Sequence, residues 1–207
     1  MSRTLLVLAH PRGDSLSAQV AERARRRLEA AGGTVDLLDL YAEGFDPRLT
    51  PVDEPDWQDR EKRYSPEVHE HMRRIEAADM VVVVFPVWWF APPAIVKGWI
   101  DRVWNYGFAY GRSKPRLAGK RMLWLALAGH SAEYYEQTRL GEALELQLGF
   151  GVSEFCGVAE ATVRLLHGTE FSGIPEQLRG ARAREVFTAA DAALTAFGVG
   201  AEAPVPA

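Results

Sequence analysis

The chain has 207 residues with 24 basic and 28 acidic side chains, a formal net charge of -4. That length suits one domain with its own core, and the acidic balance argues against a nucleic-acid partner. One cysteine, Cys156, excludes an intramolecular disulfide and a cysteine-built metal centre, and it implies a reducing, cytoplasmic compartment.

Residues 4–9 are apolar without alternation, the pattern of a strand buried on both faces. A turn-rich loop follows, and then Val20, Ala24, Leu28 and Ala31 recur at helical spacing until Gly32-Gly33 stops them. Residues 34–40 read as a second strand. Residues 41–65 are an irregular excursion carrying Pro47, Pro51 and Pro55, long enough to be a functional or partner-covering loop. Ser65-Pro66-Glu67 reads as an N-cap, a proline at the first helical position and an acid in the first turn of a helix running to 78. Residues 80–85, six apolar side chains including four valines, form the clearest strand. A loop over 86–92 leads into a helix through Ile95, Val96, Trp99, Ile100, Val103 and Trp104. Residues 122–127 form a fourth strand, 136–148 a helix, 152–161 a fifth strand and 175–197 a terminal helix. Residues 1–197 then constitute one domain and 198–207 a flexible tail. The uncharged stretch 80–96 is divided by Pro86, Pro92 and Pro93, whereas a membrane span needs about 20 apolar residues. No membrane span is expected.

Strands alternating with helices imply an α/β domain with a doubly wound parallel sheet covered on both faces. Five strands fit the flavodoxin-like order 2-1-3-4-5, in which ligands sit beyond the carboxyl ends of the strands. Loops 10–17, 86–92 and 128–135 should therefore meet.

Each loop carries chemistry with a structural alternative. Residues Ser15, Leu16 and Ser17 open a helix, whose first-turn N–H groups form an anion site; alternatively Ser15 only caps it. Trp88, Trp89 and Phe90 follow a buried strand directly and suit a flat ligand; alternatively they plug the core or an oligomer interface. Ala128-Gly129 permits close backbone approach, and His130 and Tyr134 supply polar groups. Ser131 lacks the Gly-x-Ser-x-Gly elbow of a hydrolase nucleophile. Neither a dinucleotide fingerprint nor a Walker A sequence is present, and no histidine has metal-ligand spacing. Cys156 reads as a buried, inert strand residue.

Four segments together resemble a known family: Leu8-Ala9-His10 with Ser15-Leu16-Ser17; Leu38-Asp39-Leu40-Tyr41 with Phe45-Asp46-Pro47; Phe85-Pro86-Val87-Trp88-Trp89-Phe90 followed by Pro93-Ala94-Ile95-Val96-Lys97-Gly98-Trp99 and Phe108-Ala109-Tyr110; and Phe155-Cys156-Gly157. The chain resembles the flavodoxin-like NAD(P)H:quinone oxidoreductases, the DT-diaphorase group, which includes bacterial quinone reductases and ancillary subunits of potassium-efflux systems. The resemblance implies two-electron transfer from NAD(P)H through a bound flavin to a quinone, nitro or azo acceptor, with ping-pong kinetics. It implies that His10, Ser15, Leu16 and Ser17 hold the flavin phosphate. It assigns Pro86, Val87, Trp88, Trp89, Phe90, Ala128, Gly129, His130 and Tyr134 to the flavin, and Trp88, Phe108 and Tyr110 to the substrate, with Tyr110 reaching across a homodimer interface. The 41–65 excursion resembles that of FAD-binding members, so FAD is expected, with FMN as the alternative. Two departures stand out. Ala126-Leu127-Ala128-Gly129 replaces Thr-Thr-Gly-Gly, and Leu140 stands where mammalian members carry a histidine that assists hydride transfer. Tyr134 and His130 are the remaining candidates for catalysis. The competing reading is a flavin-binding ancillary subunit of a transport system with little turnover.

Overall fold

The computed structural model describes residues 2–200. Its strands are β1 (Arg3–Leu8), β2 (Thr34–Asp39), β3 (Met80–Pro86), β4 (Arg121–Leu127) and β5 (Glu160–Leu166). All pairs are parallel, in the order β2-β1-β3-β4-β5, which is the flavodoxin-like order expected from the alternation of elements. β1, β3 and β4 are central and almost wholly buried, which is why their sequences are continuous apolar runs.

Helices α1 (Leu16–Ala30), α2 (Pro66–Ala77) and α3 (Ala94–Val103) lie in the first half, and α4 (Ala132–Thr138), α5 (Leu140–Glu145) and α6 (Glu176–Ala196) in the second. Successive strand residues point to opposite faces. Leu6, Val82 and Leu123 pack with Val20 and Leu28 of α1 and Leu194 of α6. Their neighbours Leu5, Val81 and Trp124 pack with Ile75 of α2 and Val96 and Trp99 of α3.

Two expectations fail in the second half. The helix expected over 136–148 breaks at Arg139, whose φ of 59° is left-handed, into α4 and α5, and continues as a nine-residue π-helix, Leu146–Glu154. The fifth strand expected over 152–161 is therefore helix and turn, and the true strand begins at Glu160. β5 is an edge strand that exposes Glu160 and Arg164, so it offers no apolar run. The π-helix carries Leu148 inward but Leu146 and Phe150 outward. Cys156 lies in the turn after it, not in a strand; burial pushes its thiol up to about 12, leaving it inert.

The excursion over 41–65 is anchored by a buried carboxylate. Asp53 is fully buried and accepts hydrogen bonds from Ser65 N at 2.8 Å and Arg102 Nη2 at 2.7 Å. Burial alone would raise the Asp53 pKa, but these hydrogen bonds outweigh it and hold the pKa below the usual carboxylate range. Arg102 also pairs with Glu67 at 2.8 Å and lies 4.9 Å over the Phe45 ring. Gly98 of α3 admits this strap: a Cβ there would lie 2.2 Å from the Pro47 carbonyl oxygen. Part of the expected tail, Gly198 to Gly200, is packed: Val199 is buried, and Arg27 donates to the Gly200 carbonyl at 2.9 Å. Residues 201–207 lie outside the described residues.

Candidate active site

The sheet continues into its loops and fixes their exits. Ala9 N donates to Val84 O (3.0 Å), Val87 N to Leu127 O (2.8 Å) and Ala128 N to Leu166 O (2.8 Å). The loops after β1, β3 and β4 thus leave side by side. Between them is a cavity of about 210 Å³ bordered by His10, Ser15, Leu16, Ser17, Pro86, Val87, Trp88 and Gly129.

Its floor is the N-terminus of α1. Ser15 does cap the helix, its Oγ accepting from Ala18 N at 3.1 Å. That bond leaves the amides of Leu16 and Ser17 without a protein acceptor among the described residues, at the positive end of a 15-residue helix. Capping and anion binding are therefore compatible here. His10 Nδ1 accepts from Arg12 N at 3.1 Å, which leaves Nε2 as the proton-bearing nitrogen of the neutral ring. Burial is the main cause that lowers the His10 pKa. Its ring meets Trp88 edge-on at 6.1 Å.

The loop after β3 is a strained hairpin. Trp88 and Ala91 exchange two 3.1 Å backbone hydrogen bonds, and between them Trp89 and Phe90 have φ of 52° and 59°. A two-residue turn of this type normally takes Asn or Gly. Two aromatic residues in the left-handed region cost of order 1–3 kcal/mol each. The strain presents Trp89 to solvent at 94% exposure. Phe90 is turned toward α4, its ring 6.1 Å from His130 and 6.2 Å from Tyr134. His130 and Tyr134 stack at 4.2 Å.

The expected site residues therefore divide. Eight border the cavity directly, and Phe90, His130 and Tyr134 form an aromatic stack beside it. Ala128 is buried behind the stack and offers only backbone. Trp89 does not border the cavity. Phe108 and Tyr110 do not either: Phe108 is buried beneath a different cleft, and Tyr110 packs 5.9 Å from Phe155. Conversely, Arg12, Leu127, Thr169 and Glu170 border the cavity and were not expected there. Thr169 and Glu170 belong to the loop after β5, and the misplaced fifth strand concealed them. Thr169 N donates to Ala128 O at 3.0 Å, so this fourth loop closes the rim. A second cavity of about 460 Å³ shares Arg12, Ser15, Leu16, Thr169 and Glu170 with the first and is lined further by Asp14, Gln19 and Phe171. No group of three His, Cys, Asp or Glu side chains suited to a metal occurs among the described residues.

The sheet order and the helix terminus at its carboxyl edge define a flavodoxin-like protein, and residues 2–189 match the family model described as having a flavodoxin-like fold. The chain is 42% identical over 167 residues, 81% of this chain and 84% of the relative, to the "Uncharacterized NAD(P)H oxidoreductase YcaK" of Escherichia coli. It is 30% identical over 199 residues, 84% of this chain and 85% of the relative, to "Ribosyldihydronicotinamide dehydrogenase [quinone]" of Mus musculus. An NAD(P)H:quinone oxidoreductase from Methanothermobacter marburgensis superposes with a TM-score of 0.81 at 29% identity, covering 93% of this chain and 94% of that one. The chain belongs to the flavodoxin-like family of NAD(P)H quinone oxidoreductases, and it is an oxidoreductase enzyme.

Proposed function

We propose that the crevice holds a flavin and that the enzyme transfers two electrons from NAD(P)H to a quinone or another electron-poor acceptor. The observation that carries this reading is the pair of unused amides at Leu16 and Ser17 facing a cavity walled by Trp88. A phosphate suits the amides, and a flat ring system suits the wall. When bound, a flavin would be held by the Leu16 and Ser17 amides and the Trp88 wall, and would supply two-electron chemistry between the nicotinamide and the acceptor.

The protein's part is orientation, charge and exclusion of water. The hydroxyls of Ser15 and Ser17 add donors to the phosphate site. The amides of Trp89, Phe90, Gly129 and His130 have no acceptor among the described residues and are available to the polar edge of a bound ring. Trp88 covers the crevice from one side, which limits access of water. Tyr134 and His130 are the groups for holding and moving the proton that accompanies reduction, in the role that Leu140 cannot serve. Donor and acceptor use one crevice in turn, which gives ping-pong kinetics.

We assign FAD rather than FMN because the second cavity continues from the phosphate site and offers the Phe171 ring to an adenine. The assembly we infer is a homodimer. Leu146, Phe150 and Phe155 are exposed in sequence proximity at 65%, 62% and 66%, and Tyr110 beside Phe155 would then reach a partner's crevice. Cytoplasmic residence accords with a lone, buried, inert thiol.

The test is to release the bound flavin, identify it chromatographically, and assay NAD(P)H oxidation with menadione. FAD and parallel double-reciprocal lines are expected. FMN would correct the cofactor alone. A flavin-loaded protein no faster than free flavin would leave a binding module, and a colourless protein that cannot be reconstituted would overturn the reading.

A further inference from the structure

A second cleft of about 220 Å³, sharing no lining residue with the crevice, lies between the 60–64 turn, α2 and the 106–116 loop. Six cations border it: Arg60, Lys62, Arg63, Arg73, Arg112 and Arg116. Only two carboxylates do, Glu61 and Glu76. An excess of four positive charges is therefore concentrated on a chain whose net charge is -4.

Ion pairs take up three of the six cations and leave Arg60, Lys62 and Arg63 uncompensated among the described residues. Arg112 pairs with Glu61 at 2.8 Å, Arg116 with Glu76 at 3.3 Å, and Arg73 with Glu70. Lys62 donates at 2.6 Å to the Glu54 carbonyl, which neutralises nothing. Arg60 and Arg63 have no carboxylate partner among the described residues. Both are exposed. The cleft's scaffold is rigid. Tyr64 OH donates to the Tyr106 carbonyl at 2.8 Å, and Gly107 lets the Arg60 carbonyl approach so closely that a Cβ would meet it at 2.1 Å. Two unpaired guanidinium forks bordering one cleft match the oxygens of a phosphate chain better than a single carboxylate. Like-charged walls around a narrow cleft also raise the local concentration of such an anion.

We propose that this cleft is a binding site for a phosphorylated ligand carrying a di- or triphosphate group, separate from the crevice and independent of the flavin assignment. Two sources share that chemistry: a nucleotide and an inorganic polyphosphate.

The experiment titrates tripolyphosphate into the protein as purified, by calorimetry at low and physiological salt, with wild type and the double variant Arg60→Ala/Arg63→Ala. Wild type is expected to bind with a salt-dependent affinity that the double variant weakens at least tenfold, while Arg179→Ala on α6 leaves it unchanged. If wild type gives no binding, or the double variant binds as tightly, the proposal is overturned. Parallel titration with ATP then separates the sources. Tighter binding of ATP than of tripolyphosphate identifies a nucleotide, and equal or weaker binding identifies the polyphosphate chain alone. Both variants keep their circular dichroism if folding is intact, so loss of binding is not confused with loss of structure.

Discussion

Trp89 pays a conformational cost that no packing contact repays. Its φ of 52° is left-handed, and its side chain is almost fully in solvent. Trp89→Gly removes the backbone strain, so the variant should be more stable by about 1 kcal/mol, while turnover with menadione falls. Denaturant midpoints alongside kcat/KM measure the two effects, and a variant with unchanged turnover would assign the strain no functional role. His71 behaves in the opposite manner: it is buried and packed in the core. Its Nδ1 accepts from Trp99 Nε1 at 3.1 Å, and its ring stacks on Phe45 at 5.1 Å. Burial, and secondarily repulsion from Arg74 and Arg102 against the attraction of Glu67, pushes it down from 6.5 to about 4. The unfolded chain therefore binds the proton first as pH falls. Stability is complete above about pH 6.5 and declines toward pH 4, at up to roughly 1.4 kcal/mol per pH unit for this one proton. His71→Gln, which keeps an acceptor for Trp99 but cannot titrate, should flatten the melting temperature between pH 7 and 5. An equally steep profile in the variant would place the acid sensitivity elsewhere.

At the scale of elements, α3 and the strap over 41–65 form one unit. Replacing a mid-helix glycine by alanine normally gains about 1 kcal/mol. At Gly98 the added methyl would meet the Pro47 carbonyl at 2.2 Å, so Gly98→Ala should instead destabilise by about 2 kcal/mol and expose the strap to protease. Urea melts and limited digestion test the sign; a gain in stability would show that the strap adjusts at no cost. The same scale shows what the sequence could reveal. β1, β3 and β4 are buried on both faces, so their runs are unambiguous, and the three loops that follow them border one cavity. β5 is an edge strand interrupted by the exposed charges Glu160 and Arg164, while the preceding π-helix exposes Leu146 and Phe150 and buries Leu148. A strand was therefore expected one element too early, and with it went the loop bearing Thr169 and Glu170. The stacking of Phe90, His130 and Tyr134 depends on a left-handed turn made by non-glycine residues, for which the residue types give no signal.

At the scale of the whole molecule, the exposed row Leu146, Phe150 and Phe155 predicts association. Phe150→Asp should shift sedimentation from dimer to monomer and lower turnover with it, since Tyr110 would no longer reach a second crevice. A wild-type monomer at micromolar concentration would remove the dimer from the reading. The six tryptophans also divide the molecule into two optical populations. Trp99, Trp104 and Trp124 are sealed in the core, with neighbouring centroids 5.8 and 6.2 Å apart, whereas Trp88 borders the crevice and Trp57 and Trp89 face water. Core indoles emit at shorter wavelength than hydrated ones. A chromophore entering the crevice should therefore quench the long-wavelength side of the emission first, giving the protein an intrinsic fluorescent gauge of occupancy that needs neither label nor turnover.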